Sequence, residues 1–127
     1  MCIRDSDYTR AFLDFSQLAD QGDPRAQYQI GVMYLEGYVV PLDPGIAARF
    51  FKLAAVQDYA TAKTMLGHMY AAGIGGKQDL ISAYMWLDMG GDRSKMLEVA
   101  AKMSPADISE AKLRGIACRK SKYQDCD

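Results

Sequence analysis

The sequence predicts an all-α protein in which antiparallel helix pairs stack into an α-solenoid of about seven helices. The first observation behind this prediction is a repeat, because Ala26 returns 36 residues later as Ala62 and Gly31 returns as Gly67. A fixed period between about 20 and 50 residues is typical of stacked-repeat proteins. The second observation is that apolar residues recur at helical spacing within each unit, and no segment alternates as a β-strand would. Stacked repeats usually present binding surfaces, so the period favours binding over catalysis.

The chain begins with a segment that does not belong to the repeat. Residues 1–6 fit poorly with the rest of the chain and carry no signal-peptide pattern, so we interpret them as a non-native or disordered leader. Residues 7–22 match only the second half of a unit, because Phe15 precedes Phe51 by 36 residues. We therefore predict one helix, Asp7–Gln21, without a partner helix. Its uncovered side predicts either a longer array or self-association through this N-terminal helix.

The first complete unit is predicted at residues 23–58. Its first helix, Pro24–Glu36, begins where Asp23 can act as a cap and proline is tolerated at the first helical position. Asp43 caps the second helix in the same way, and this helix is expected to run to about Gln57.

The second unit, residues 59–91, has the same plan. Its first helix is predicted at Ala60–Ala72, and Asp79 caps its second helix. A glycine ends the first helix of each unit, Gly37 in one and Gly73 in the other, because glycine adopts the left-handed conformation at low cost.

The repeat decays after the second unit. Gly90-Gly91 stand where the first unit has paired alanines, which predicts an early end or fraying of that helix. Residues 92–120 are predicted to form C-terminal capping helices at Ser94–Met103 and Pro105–Arg119, with a tail at 121–127. The apolar residues that mark the last helix are Ile108, Ala111, Leu113, Ile116 and Ala117.

Composition places the chain among soluble proteins with one domain. It has 127 residues, of which 50% are hydrophobic and 24% charged, with a formal net charge of −1. No basic excess suggests nucleic acid as a partner. No run approaches the roughly 18 apolar residues of a membrane-spanning helix. Cations cluster near the C-terminus, and we interpret this cluster as a solvated helix end; its members are Arg114, Arg119, Lys120 and Lys122.

The repeated residue types resemble the Sel1-like repeat over about residues 7–91. The resemblance implies TPR-like helix pairs in a right-handed superhelix, and a bacterial source. The positions that carry it, which we expect to be structural, are Ala26, Gly31, Tyr34, Gly37, Asp43, Ala47 and Phe50 in the first unit and Ala62, Gly67, Tyr70, Gly73, Asp79, Ala83 and Trp86 in the second.

Physical reasons support this pattern. Glycine inside a helix costs about 1 kcal/mol relative to alanine, so Gly31 and Gly67 are expected to permit close approach between helices. The aromatic residues of the pattern would fill the wider space beside them. The first unit departs from the pattern at Val39, which stands where the second unit has Gly75, and this predicts a different path for the first loop.

No pattern predicts catalytic, cofactor-binding or metal-binding residues. His68 has no cysteine or carboxylate at ligand spacing nearby, so it is a weak metal signal. The loop at 73–77 is similar to a phosphate-binding loop only superficially, since it lies between helices and lacks the Lys-Ser/Thr ending. Outward positions on the first helix of each unit are the candidate contacts to a partner: Gln27, Gln29, Lys63, Thr64 and His68.

Three cysteines bear on the cellular compartment. Cys2 belongs to the leader, whereas Cys118 and Cys126 lie near the C-terminus. Similar bacterial proteins are often exported, which favours a disulfide between Cys118 and Cys126; two free thiols are the alternative. A disulfide would imply an oxidising compartment, so a periplasmic or secreted location is favoured if the pair forms.

The expected function is that of a non-enzymatic interaction module or adaptor. Such a module would present a concave helical surface to a protein or peptide partner and would need no cofactor. The alternative is an accessory fragment of a larger envelope-associated enzyme or regulator, whose catalytic part lies upstream.

Overall fold

The chain folds into seven helices, and no strand occurs among the residues that the structure describes, which are 5–124 and Cys126. Each helix packs against the next along the chain up to α6, and α7 returns to pack against α5. This order is that of a helical solenoid, as predicted. In this computed structural model the helices are α1 Asp5–Asp20, α2 Pro24–Glu36, α3 Pro44–Ala55, α4 Ala60–Ala72, α5 Leu80–Gly90, α6 Arg93–Ala100 and α7 Pro105–Lys120.

The helix boundaries agree with the sequence prediction most closely in the two repeats. Helices α2 and α4 begin and end where the sequence indicates, whereas α3 ends two residues earlier than expected. Helix α1 begins at Asp5, so the last part of the predicted leader is helical, and residues 1–4 lie outside the described part. Helix α6 ends three residues early because the chain tightens into a turn before Ser104, where Met103 N donates to Ala100 O at 3.0 Å.

The predicted caps are present at the atomic level. The Asp23 carboxylate accepts from the backbone N–H of Arg25 at 2.9 Å, and Asp43 accepts from that of Ile46 at 3.2 Å. Asp79 repeats the arrangement on the N–H of residue 82 at 3.0 Å. Gly37 and Gly73 end α2 and α4 in the left-handed conformation, with φ of 75° and 72°. The capping positions of both units are therefore confirmed.

Close approach between helices is the reason for the mid-helix glycines. A Cβ atom on Gly31 would lie 2.7 Å from the ring of Phe51, and one on Gly67 would lie 2.5 Å from Leu87 Cγ. Both distances are too short for real atoms, so the prediction of close packing is confirmed. Larger side chains fill the space beside these contacts, as the stacked rings of Tyr34 and Phe50 show, with centroids 5.9 Å apart.

The first loop does not depart from the second at the position that the sequence singled out. Val39 has a φ of 67° and Gly75 a φ of 83°, so both residues are in the left-handed region. The replacement of glycine by valine therefore leaves this position in the left-handed region. A β-branched residue pays a conformational penalty there that glycine avoids.

The apolar residues that mark α7 in the sequence do not share one face. Leu113 and Ile116 are exposed, although both belong to the pattern that predicted the helix. The buried residues of α7 form a stripe of small side chains, which we call the inner stripe of α7 and which comprises Ala111, Gly115 and Cys118. Ile108 also packs against the core.

Candidate functional site

An open groove runs along α4, on the predicted binding side. We call it the α4 groove, and its volume is about 410 Å³. Its side chains are short or polar, apart from one methionine, and most come from one face of α4. The lining residues are Ala60, Thr61, Thr64, Met65, His68 and Gly90.

The floor of the α4 groove depends on a glycine of α5. A Cβ on Gly90 would lie 2.5 Å from Thr64 Oγ1 and 2.9 Å from Thr64 N. The Thr64 hydroxyl donates to the Gly90 carbonyl at 3.4 Å. The sequence indicated only a helix end here, and Gly91 does end α5 with a φ of 89°. The role of Gly90 in bringing α5 against α4 was missed, although Gly90 lies 36 residues after a fully buried alanine, Ala54.

His68 is held in place by a carboxylate that the sequence did not connect to it. Its Nε2 lies 3.0 Å from Asp92 Oδ2, and its side chain is 43% exposed. Asp92 also caps α6 by accepting from the backbone N–H of Lys95 at 3.1 Å. The Lys95 N–H and, second, the His68 hydrogen bond lower the pKa of Asp92 below its usual range. The pair joins α4 to the start of α6 and fixes the orientation of the imidazole.

Gln27 is not an outward contact residue, contrary to the prediction. It is only 5% exposed, and its side-chain amide donates to the Ala19 carbonyl at 3.3 Å. Its Oε1 accepts from Gln57 Nε2 at 2.7 Å. Gln27 therefore fastens α1 and the turn after α3 to α2. Gln27 is buried because it comes directly after Ala26 on the side of α2 that neighbouring helices contact.

Lys63 lies 36 residues after Gln27, and its predicted outward position is wrong for the same reason. It is 3% exposed, and its ammonium group donates to Asp58 Oδ1 and, at 2.7 Å, to the Tyr123 hydroxyl. The Tyr123 hydroxyl donates in turn to Asp58 Oδ1 at 2.8 Å. Hydrogen bonds from Lys63 and Tyr123 lower the pKa of Asp58. We call these three residues the lysine cluster, and they satisfy a charge that burial would otherwise penalise.

The C-terminal tail supplies one member of the lysine cluster. The structure brings the sulfur atoms of Cys118 and Cys126 to bonding distance, with Cα atoms 4.4 Å apart. Tyr123 lies in the loop between them and donates its backbone N–H to the Cys118 carbonyl at 2.8 Å. Both cysteines belong to the main core, together with Trp86. The tail therefore folds back onto the first turn of α4.

The remaining candidates divide between groove and surroundings. Thr64 and His68 line the α4 groove, whereas Gln29 is half-buried on α2 and does not line it. On α1, Leu13 and Leu18 are exposed, and self-association through this helix stays a prediction.

Among the described residues, no group of three or more His, Cys, Asp or Glu side chains could hold a metal ion. No helix of that part of the chain is long and apolar enough to cross a bilayer.

Seven stacked helices with an open groove define a helical-repeat protein of the solenoid type. A model of the Sel1 repeat matches residues 24–59 and 60–94, which together exceed half of the chain. The chain belongs to the Sel1 repeat family. Repeats of this family generally mediate protein–protein interaction, and their fold is typically a non-enzymatic scaffold.

Two solved structures are similar to this chain. One is c5321, a protective antigen of uropathogenic Escherichia coli that displays an SLR fold; it is 25% identical with a TM-score of 0.82, over 88% of this chain and 26% of the antigen. The other is a Sel1 repeat protein from Oxalobacter formigenes, 26% identical with a TM-score of 0.59, over 61% of this chain and 32% of that protein. The chain thus spans about a quarter to a third of the length of these proteins.

Proposed function

We propose that this chain is a non-enzymatic interaction module that presents the α4 groove to a peptide or to a segment of a partner protein. The observation that carries the proposal is the groove itself, an open depression along the first helix of a repeat, in a family that generally mediates protein–protein interaction. Regular stacking provides the rigid support that such a surface needs.

The groove offers a mixed set of contacts that suits an extended peptide. Thr61 and Thr64 carry hydroxyl groups, and Met65 provides an adaptable apolar contact. Because the Asp92 carboxylate accepts, His68 Nε2 is the donor of that pair, and Nδ1 is left for a hydrogen bond to a bound peptide.

Affinity capture from the source organism, with matched variants, tests the proposal. We expect a partner to be retained by the wild type and by Lys77→Glu, which changes an exposed loop, but lost from Met65→Glu, which places a charge in the groove. Recovery of the same protein by Met65→Glu would refute the groove as the binding site. Turnover of a substrate by a chain that captures no partner would refute the non-enzymatic role.

We propose that Cys118 and Cys126 form a disulfide in the native protein, which then matures in an oxidising compartment such as the periplasm. The proximity of the two sulfur atoms and the burial of both residues support this. Thiol titration under denaturing conditions, on protein from its native compartment, should find neither thiol free. Titration of both thiols would exclude the disulfide and remove the argument for export.

The alternative function is an accessory part of a larger envelope-associated enzyme or regulator. The observation that favours it is the greater length of the two similar solved proteins, of which this chain spans 26% and 32%. The complete gene decides between the two: a catalytic domain encoded before residue 7 supports the alternative, and further repeats there support the interaction module.

A further inference from the structure

The outer face of the last helix carries bulky apolar side chains that the fold does not use. We define the outer face of α7 as Lys112, Leu113, Ile116 and Lys120. Leu113 is 66% exposed and Ile116 is 54% exposed, and both lysines are also exposed. At about 100° per residue, Leu113, Ile116 and Lys120 lie on the side of the helix opposite its inner stripe, and Lys112 lies at the edge of that side. Leu113 and Ile116 thus face solvent, whereas the inner stripe faces the core.

The helix dipole explains only part of this pattern. Cations are favoured in the last turn of a helix, which accounts for Arg119 and Lys120. It does not account for Lys112, which lies about two turns earlier, or for the two exposed apolar residues. Single exposed leucines are ordinary on protein surfaces. Here two large apolar side chains lie one turn apart, with a lysine on either side.

The charges of the outer face are available to a partner. Among the described residues, neither Lys112 nor Lys120 has a hydrogen-bond or ion-pair partner, whereas Arg114 is paired with Glu110 at 2.7 Å. The two lysines are separated by eight positions, which correspond to about 12 Å along the helix. A complementary surface therefore presents two carboxylates at that spacing with apolar side chains between them.

We propose that the outer face of α7 binds an acidic amphipathic helix of a partner protein. Two carboxylates two turns apart on such a helix match the lysines, and its apolar residues cover Leu113 and Ile116. A lipid bilayer is a poorer occupant, because helices that lie in membranes bury a long apolar face along most of their length. The surface is separate from the α4 groove, so the proposal does not depend on the function proposed for the groove.

A synthetic peptide pair tests the proposal on the whole chain. The probe is a fluorescent amphipathic peptide of about 18 residues, long enough to form a helix on binding, with two glutamates two turns apart around a leucine pair. The matched peptide has lysine in place of glutamate. By fluorescence anisotropy at low salt we expect the acidic peptide to bind at least about tenfold more tightly than the basic one, and added salt to weaken it.

Matched variants locate the binding. Leu113→Ser with Ile116→Ser should weaken the acidic peptide by at least about tenfold, whereas Leu97→Ser, at a leucine 60% exposed on α6, should not. Far-UV circular dichroism confirms that each variant is folded. Absence of binding by the acidic peptide overturns the proposal, and so does binding that survives the double change. Binding to phosphatidylserine vesicles that the double change abolishes, in a protein that ignores the peptide, also overturns it in favour of a lipid partner.

Discussion

Replacement of Gly67 by alanine gives a direct test of how the two helices of a unit meet. The new Cβ would lie 2.5 Å from Leu87 Cγ and 3.1 Å from Leu87 N. Leu87 is fully buried, and its backbone cannot yield without moving α5. Overpacking of this kind costs about 1–3 kcal/mol, and we expect the upper end because a backbone atom is among those contacted.

Helix propensity acts in the opposite direction. Alanine is about 1 kcal/mol more favourable than glycine inside a helix, so Gly67→Ala should lower the free energy of unfolding by a net amount of about 2 kcal/mol. Gly115→Ala is the matched control, because Gly115 is also buried in a helix but its Cβ would lie at an ordinary 3.5 Å from Met85 Cγ. That variant keeps the propensity gain and should be stabilised by roughly 0.5–1 kcal/mol.

Urea unfolding monitored by Trp86 fluorescence and by far-UV circular dichroism measures both variants. In thermal unfolding of the same variants, a loss of about 2 kcal/mol should lower the melting temperature by about 6–10 °C in a chain of this size. The m-values should stay unchanged, so that the shift reports stability alone. If Gly67→Ala proves as stable as the wild type, or if both variants move in the same direction by the same amount, close approach is not what the repeat glycine provides.

Three further perturbations address the tail, the groove and the first loop. Tyr123→Phe should lower the free energy of unfolding by about 1 kcal/mol, since it removes the hydroxyl bonded to the buried lysine, and reduction of the proposed Cys118–Cys126 disulfide should lower it by about 2–3 kcal/mol; both are read from urea midpoints, and midpoints equal to that of the untreated wild type would show that the tail does not stabilise the fold. Asp92 has a lowered pKa when folded, so it stabilises the protein above pH about 3.9 and loses this effect as the pH falls further; Asp92→Asn should be less stable than the wild type at pH about 6, and the difference should shrink as the pH falls below about 3.9. Val39→Gly should raise the free energy of unfolding by roughly 0.5–1 kcal/mol, because glycine removes the penalty of the left-handed backbone; a lower melting temperature would contradict this.

The elements that the sequence predicts well are those whose cause lies within a few residues. Asp43 and Gly37 act on backbone groups of their own turn, so their roles can be read without knowing the fold. The period then transfers each assignment to the second unit. The sequence also predicts close helix packing at Gly31, since close approach explains a glycine at both equivalent positions of the repeat, but it does not identify Phe51 as the contact.

The site residues were harder to predict because burial overrides residue type. Gln27 and Lys63 are polar, and polar residues are mostly exposed, so both were placed outside. Their equivalence in the repeat is itself a signal of burial. A period preserves structural positions, and both residues come directly after the buried alanine of the pattern. The His68–Asp92 pair could not be found this way, because it joins a repeat to the segment where the period has decayed.

The lysine cluster changes how stability is distributed along this solenoid. In a regular array each unit contacts only its neighbours, so stability is close to a sum of local terms. Here Tyr123 reaches Lys63 across 60 residues of sequence, at the junction of the two repeats. When the tail detaches, Lys63 keeps only Asp58 as a partner, and a buried ammonium group with fewer partners is costly. The second repeat and the C-terminal helices should therefore unfold together, and hydrogen exchange should show α4 and α7 opening with the same free energy. Independent opening of α7, with the amides of α4 still protected, would show that the tail covers the repeat without bracing it.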